Sequence, residues 1–302
     1  MNHAAAETRG ASMRTSKNQL TIGVSGTAFR SGTYKGSQIN TALDIWFGRV
    51  AGEDIEVDPV TTRPFVFFDL GGTLVDLRGI VTSMANSLQV AHVRGPVPLA
   101  LLWATKTAER LPSAVGPNFR PEREIATDVL AELLRERARA NALEESTRLV
   151  REAWDGYVRR CALQEDVSVA WLQSLRSNVA GLGIVTDGDT EAVTGVLAHT
   201  KLEALFDSVT ISEEVRSYKP DARMYRAAMG ALGSKPAESL FVSDSTLDLQ
   251  GAIEVGMGAA WIPRPSLGGA AKPPLGSLAL TRIDDIERIA KRYATSGRFS
   301  LR

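Results

Sequence analysis

Phe65-Val66-Phe67-Phe68-Asp69-Leu70-Gly71-Gly72-Thr73-Leu74 sets an apolar run directly against a carboxylate and a glycine-rich turn. Four apolar residues bounded by turn residues are the pattern of a buried strand. Such a strand delivers Asp69 to the carboxyl edge of a sheet, the edge at which open α/β folds bind ligands. There the side chain can act as a covalent nucleophile or as a metal ligand. The two glycines let backbone groups come close to a bound molecule. Capping of the following turn is an equally open role for Asp69 on this stretch alone.

Three later segments repeat the arrangement. Leu182 to Thr186 is predicted to be a short strand, and Thr186-Asp187-Gly188 follows it. A hydroxyl beside free backbone N–H groups can hold phosphate oxygens, although a threonine at a strand end is also an ordinary turn residue. In Ser217-Tyr218-Lys219-Pro220-Asp221, Pro220 suits the first turn of a helix. Lys219 before it can reach the sheet edge and neutralise a carboxylate and a transferred phosphoryl group; an exposed lysine is the alternative. In Phe241-Val242-Ser243-Asp244-Ser245-Thr246-Leu247-Asp248, a strand from Leu240 to Ser243 ends at Asp244, and Asp248 opens the next helix. The turn can bring both carboxylates to one side, as hard oxygen ligands for Mg²⁺, or Asp248 can cap the helix. Four polar sites at the carboxyl ends of parallel strands would converge on one crevice.

Further strands are expected over Phe206 to Ser212 and Gly258 to Pro263. Helices are expected over Thr190 to His199, Ala222 to Leu232, Leu247 to Val255 and Ile283 to Tyr293. Strands alternating with helices predict an α/β fold with a parallel sheet covered on both faces. The stretch 77–175 breaks this alternation. Ile125, Val129, Leu133 and Leu134 recur at helical spacing, as do Leu143, Val150, Trp154 and Tyr157, so it reads as amphipathic helices. Pro96, Pro98, Pro112, Pro117 and Pro121 divide them. Trp154 and Tyr157 are read as packing residues.

The bulk numbers narrow the function classes. A chain of 302 residues suggests about two structural units. Apolar residues make up 44%, enough for a sizeable core, and the formal net charge is zero. That balance gives no support to nucleic-acid or anionic-membrane binding. The single cysteine, Cys161, excludes an intrachain disulfide framework and fits a reducing cytoplasm. His3, His92 and His199 lack metal-ligand spacing. The best apolar stretch, Val97 to Ala104, falls far short of the roughly 20 residues of a membrane span. Residues 1–62 are rich in Ser, Thr, Gly and basic residues before a short acidic stretch, and are expected to form a flexible extension. Gly32 to Ser37 has the wrong spacing for a P-loop and is read as loop.

The four segments, with Leu205-Phe206-Asp207 and Ser212-Glu213 leading into Lys219-Pro220-Asp221, resemble the haloacid dehalogenase superfamily, which is mostly phosphatases. The resemblance covers residues 65 to about 265. It implies a Rossmann-like core at 63–76 and 176–302, with residues 77–175 inserted as an all-helical cap. It further implies Asp69 as nucleophile and Mg²⁺ ligand, Gly71 as a metal ligand through its carbonyl, and Asp244 as a second carboxylate ligand. Thr186, with the backbone at Gly72 and Asp187, would bind phosphate. Lys219 would steady nucleophile and phosphate, and Asp248 would support the metal or Lys219. Cap residues near Arg94 and Trp103 would select a small phosphorylated substrate.

Three departures stand out. The second aspartate that family phosphatases carry two positions after the nucleophile, as general acid and base, is here Gly71. General acid–base help is worth about 10²–10⁴ in rate, so its loss leaves that role to a good leaving group, a cap residue or water. Asp187 stands where asparagine is common. Ser243 replaces the usual glycine and is similar to the dehalogenase branch. Two alternatives to a Mg²⁺ phosphatase follow. One is a metal-independent 2-haloacid dehalogenase, against which stand the paired Asp244 and Asp248 and the lack of that branch's usual aromatic residue at position 71. The other is a catalytically impaired binding or regulatory protein on the same fold.

Overall fold

The computed structural model describes residues 6–8, 11–16, 19–24, 32–35, 63–264 and 272–301. The chain divides into two units, Met1–Pro59 and Val60–Arg302. Within the first lie four strands, β1 (Ala6–Thr8), β2 (Ala11–Ser16), β3 (Gln19–Val24) and β4 (Gly32–Lys35), paired antiparallel in the order β1-β2-β3-β4. A flexible extension was expected here, and Gly32–Lys35 was read as loop. The missed signal is the alternation of Leu20, Ile22 and Val24 with Thr21 and Gly23, a period of two that favours a strand over coil. The remainder of the expected extension lies outside the described residues.

In the second unit the apolar run becomes β5 (Phe65–Phe68). Its neighbours are β6 (Gly181–Thr186) and β8 (Ser239–Ser243), with β7 (Ser208–Ile211), β9 (Gly258–Trp261) and β10 (Leu278–Ala279) beyond them. All pairings are parallel, in the order β10-β9-β8-β5-β6-β7. Val66 and Phe68 pack with Leu182, Ile184, Leu240 and Val242 on one face. Phe67 packs with Val185 and Phe241 on the other. Continuous apolar strands are what a sheet buried on both faces requires. Gly183 in β6 pairs with Phe67, and a Cβ there would stand 2.5 Å from the Phe67 ring. Glycine is therefore the residue that leaves room for this ring beside the paired strand.

Helices α1 (Arg78–Val90), α2 (Pro96–Arg110), α3 (Glu122–Arg135) and α4 (Ala142–Val158) form the helical insert. Four of the five prolines act as expected: Pro96 opens α2, Pro112 and Pro117 lie in short 3-10 turns, and Pro121 precedes α3; Pro98 is the third residue of α2, where the first turn tolerates it, and divides nothing. α5 (Val169–Arg176) lies inside the stretch assigned to the insert, yet Trp171 meets Phe68 edge-on at 6.0 Å, against the sheet. α6 (Thr190–Thr200), α7 (Ser212–Val215), α8 (Ala222–Leu232), α9 (Thr246–Glu254) and α10 (Asp285–Ser296) complete the unit. α8 and α9 cover the Phe67 face through Met224, Tyr225 and Leu249. Insert residues Leu88, Trp103, Val129, Leu133 and Leu149 join the same apolar cluster as the opposite sheet face. Among the described residues no helix is long and apolar enough to cross a membrane.

The topology locates the site. From β5 the chain builds outward through β6 and β7, then crosses to β8, β9 and β10 on the other side. The direction reverses between β5 and β8, and Asp69 and Asp244 follow those two strands. Ligands of open α/β sheets bind at such a reversal.

Candidate active site

Asp69 is held at the end of β5 by its N–H, which donates to the Val242 carbonyl at 2.9 Å. The turn then closes on Asp244. Gly72 has φ +87°, and a Cβ there would stand 2.8 Å from Asp244 Oδ1, so only glycine permits the approach. The Thr73 hydroxyl lies 3.0 Å from Asp69 Oδ2 and 3.2 Å from Asp244 Oδ1, and its oxygen accepts the Asp244 N–H at 3.0 Å. Lys219 Nζ sits 2.5 Å from Asp69 Oδ1 and 2.8 Å from Asp248 Oδ2. The Lys219 N–H donates to Asp187 Oδ1 at 3.0 Å, and Tyr225 donates its hydroxyl to the Asp248 carbonyl at 2.6 Å. The Thr186 hydroxyl, buried at the end of β6, donates to the Asp187 carbonyl at 3.0 Å. All four sequence segments thus meet around one crevice.

Two partners of the glycine turn were not singled out from sequence. Gln164 Nε2 donates to the Gly72 carbonyl at 2.7 Å. Arg264 donates to the Thr73 carbonyl at 3.0 Å and pairs with Asp166 at 2.6 Å.

Burial dominates the electrostatics. It pushes the Asp69 carboxyl up to about 7, with Asp248 and Asp244 adding to the rise and Lys219 opposing it. Burial also lifts Asp187 to about 7 and raises Asp244. For Lys219, burial pulls downward, but Asp248, Asp69 and Asp187 outweigh it and hold the ammonium well above its ordinary value. One ammonium therefore stands among four carboxylates, an excess of negative charge that favours a bound cation or bound protons.

The donor set fits Mg²⁺ in part. The Asp69 and Asp244 carboxylates face each other across one hydroxyl, whose single proton can satisfy only one of them. The Gly71 carbonyl accepts no hydrogen bond among the described residues. Two carboxylates, one carbonyl and water are a usual Mg²⁺ shell. Among the described residues no group of three or more His, Cys, Asp or Glu side chains is placed to hold a metal. The Asp248 carboxylate is committed to Lys219, the second of the two roles expected of it.

A cavity of about 430 Å³ opens above these groups. Its floor includes Asp69, Gly71, Thr186, Asp187, Lys219, Asp244 and Asp248, and its roof Leu77, Ile80, Trp103, Thr107, Trp154 and Tyr157 from the insert. Trp154 and Tyr157, read as packing, thus also face the cavity. Arg94, expected near the substrate, is exposed and does not line it. Trp103 does, with its indole N–H given to the Ala126 carbonyl at 2.9 Å. Trp154 Nε1 and Thr107 Oγ1 are buried without a hydrogen-bond partner. Among the described residues Lys219 is the only basic one in the lining.

The insert also sends down Glu122, which sequence reasoning missed. It opens α3, and the core holds it there: Asp189 accepts the Glu122 N–H at 2.8 Å through Oδ1 and the Arg123 N–H at 3.0 Å through Oδ2. Asp189 sits at the N-cap of α6 but makes no side-chain cap bond to its own helix. Glu213 instead accepts the Thr190 N–H at 2.7 Å.

Comparison with known proteins agrees with this geometry. The haloacid dehalogenase-like hydrolase family model matches residues 65–256. The (S)-2-haloacid dehalogenase of Pseudomonas sp. (strain YL) is 30% identical over 203 residues, covering 66% of this chain and 82% of the relative. The phosphoserine phosphatase of Thermus thermophilus is 34% identical over 178 residues, covering 58% of this chain and 67% of that protein. The L-2-haloacid dehalogenase structure from Xanthobacter autotrophicus superimposes with a TM-score of 0.61 at 20% identity, over 76% of this chain and 99% of its own. With the Asp69 strand, the three later segments and four of the six parallel strands inside the matched region, the chain belongs to the haloacid dehalogenase-like hydrolases.

Proposed function

We propose that this chain is a Mg²⁺-dependent phosphatase acting on a small phosphorylated metabolite, with Asp69 as nucleophile. The observation that carries the reading is the surplus of buried carboxylates over Lys219 around Asp69. A pocket so charged repels a free anion unless a cation joins it. Mg²⁺ held by Asp69, Asp244 and the Gly71 carbonyl would supply charge neutralisation at the phosphoryl oxygens. Asp69 attacks phosphorus in line, Thr186 and the backbone at Gly72 and Asp187 hold the phosphoryl oxygens, and Lys219 keeps Asp69 ionised and aimed. Water then hydrolyses the aspartyl-phosphate. The apolar roof suits an organic substrate body.

The relatives' names favour a second reading, since 2-haloacid dehalogenases outnumber phosphatases among them. There Asp69 would displace halide from carbon without a metal. Both the substrate carboxylate and the departing halide would then need positive charge, and the only basic residue in the lining among the described residues is already paired with two carboxylates.

Phosphate release from a metabolite panel with and without Mg²⁺, beside halide release from 2-chloropropionate, separates the readings. Mg²⁺-dependent phosphate release supports the first. Metal-independent chloride release replaces it with the second, and silence in both assays favours a binding or regulatory protein. A readout free of turnover is thermal: Mg²⁺ is expected to raise Tm by mass action, and Asp244→Asn is expected to remove that rise. An equal rise in the variant would exclude Asp244 as a ligand.

A further inference from the structure

Three features converge on one side chain of the cap. The first is a vacancy in chemistry at Gly71, where no acid stands two positions beyond the nucleophile. Leu77 occupies that space: its methyl carbons lie 3.0 and 3.2 Å from where a Cβ on residue 71 would stand. The second is the placement of Glu122. It lines the cavity with Asp69, Thr186 and Lys219, but from the cap. Its Oε2 lies 3.7 Å from where a Cβ on Gly188 would stand, over the loop that begins at Thr186. In-line attack by Asp69 expels the leaving group away from the floor, towards the cap. The third is that the Glu122 carboxyl makes no hydrogen bond or ion pair among the described residues, while its backbone is fixed by Asp189 at 2.8 Å. A side chain anchored at its base and unpartnered at its tip is free to bond a ligand.

We propose that Glu122 is the acid–base catalyst of this site, replacing the aspartate absent at position 71; this rests on the phosphoryl reading above. As an Asp69 oxygen bonds to phosphorus and the bond from phosphorus to the leaving oxygen breaks, the Glu122 carboxyl gives its proton to that oxygen and the alcohol departs. Glu122, now a carboxylate, takes a proton from the water that attacks the aspartyl-phosphate. The bond from phosphorus to the Asp69 oxygen breaks, and hydrogen phosphate, the Asp69 carboxylate and protonated Glu122 are restored.

The protonation state suits both halves. Burial, then Asp189 and Asp187, push the Glu122 carboxyl up to about 8, so it is protonated at neutral pH and can still release its proton. Asp187 and Asp189 face it from the core loop, with Tyr157 of α4 and Tyr218 also near. Arg123 beside it turns to Asp189 and Glu191. The N-terminus of α3 acts in the opposite sense, favouring the carboxylate.

Glu122→Gln tests this. With Mg²⁺, the variant is expected to lose about 10²–10⁴-fold on alkyl phosphates. On acetyl phosphate, whose leaving group needs no proton, it is expected to form the phosphorylated protein at a near-native rate and then retain it, visible by intact mass. In the metal-free protein, carbon-13 NMR is expected to show a carboxyl titrating near pH 8 that the variant lacks. An equal loss on every leaving group without a retained phosphoprotein would reduce Glu122 to a packing role and overturn the proposal while leaving the phosphatase reading intact. A Glu122 carboxyl titrating in the ordinary range would also overturn it. No phosphate release by the native protein would remove the phosphatase reading, and this proposal with it.

Discussion

Asp69→Asn is expected to abolish turnover while leaving the fold in place. Loss of a covalent nucleophile removes about 10⁴-fold or more of activity, and residual turnover near the native level would exclude Asp69 as the attacking group. The same substitution carries an opposite effect on stability in metal-free buffer. Asp69 has a folded value of about 7 against an ordinary 3.8. Across that window the folded chain holds a proton that the unfolded chain has released, so stability falls as pH rises from about 4 to about 7 and is flat above it. Asparagine does not ionise and removes this slope. The Tm of the variant relative to the native protein is therefore expected to climb through that window. A constant difference across it would show that Asp69 does not titrate there. Asp69 is held in place at the expense of stability, as groups at many active sites are.

Lys219→Met is expected to have the largest effect on folding. Its ammonium is buried between Asp69 and Asp248 and its backbone is tied to Asp187. Removing one partner of a buried ion pair costs about 3–5 kcal/mol because the other charge is left uncompensated, and here two carboxylates lose their direct partner. The raised lysine value means that the ammonium's contribution is fully present at every pH below the ordinary lysine range and is lost only above it. The deficit of the variant is therefore expected to be greatest at neutral and higher pH. It should shrink under mildly acidic conditions, where the abandoned carboxylates take up protons. Urea denaturation at two pH values checks this. A variant as stable as the native chain at neutral pH would mean that the ion cluster is relieved by other means.

Much of this site was legible because its residues follow strands. The apolar runs ending at Asp69, Thr186 and Asp244 needed only strand length and a turn signal, and parallel pairing did the rest. Helix Ala222–Leu232 was read to its last residue because its apolar stripe is bounded by Pro220 and by Gly233. What was missed depends on tertiary neighbours. Glu122 lies in Arg120-Pro121-Glu122-Arg123-Glu124, a stretch that reads as a solvated surface, and the apposition of α3 to the loop after β6 half-buries it. Asp189 stands at the N-cap of its own helix and instead accepts from the first amides of another. Trp154 fits its apolar stripe and still leaves its indole N–H buried without a partner. The strands within residues 6–35 were passed over because small polar residues masked their alternation.

The carboxylate of Asp189 makes the insert difficult to exchange. It supplies acceptors to the two leading amides of α3 from the loop after β6, outside the insert, so the insert's own residues do not contain a complete helix start. Grafting these helices onto a related scaffold that lacks an acid at that position would fray the first turn and let Glu122 swing. Recombination between paralogues is then constrained to carry both pieces together, although some 65 residues separate them in the chain.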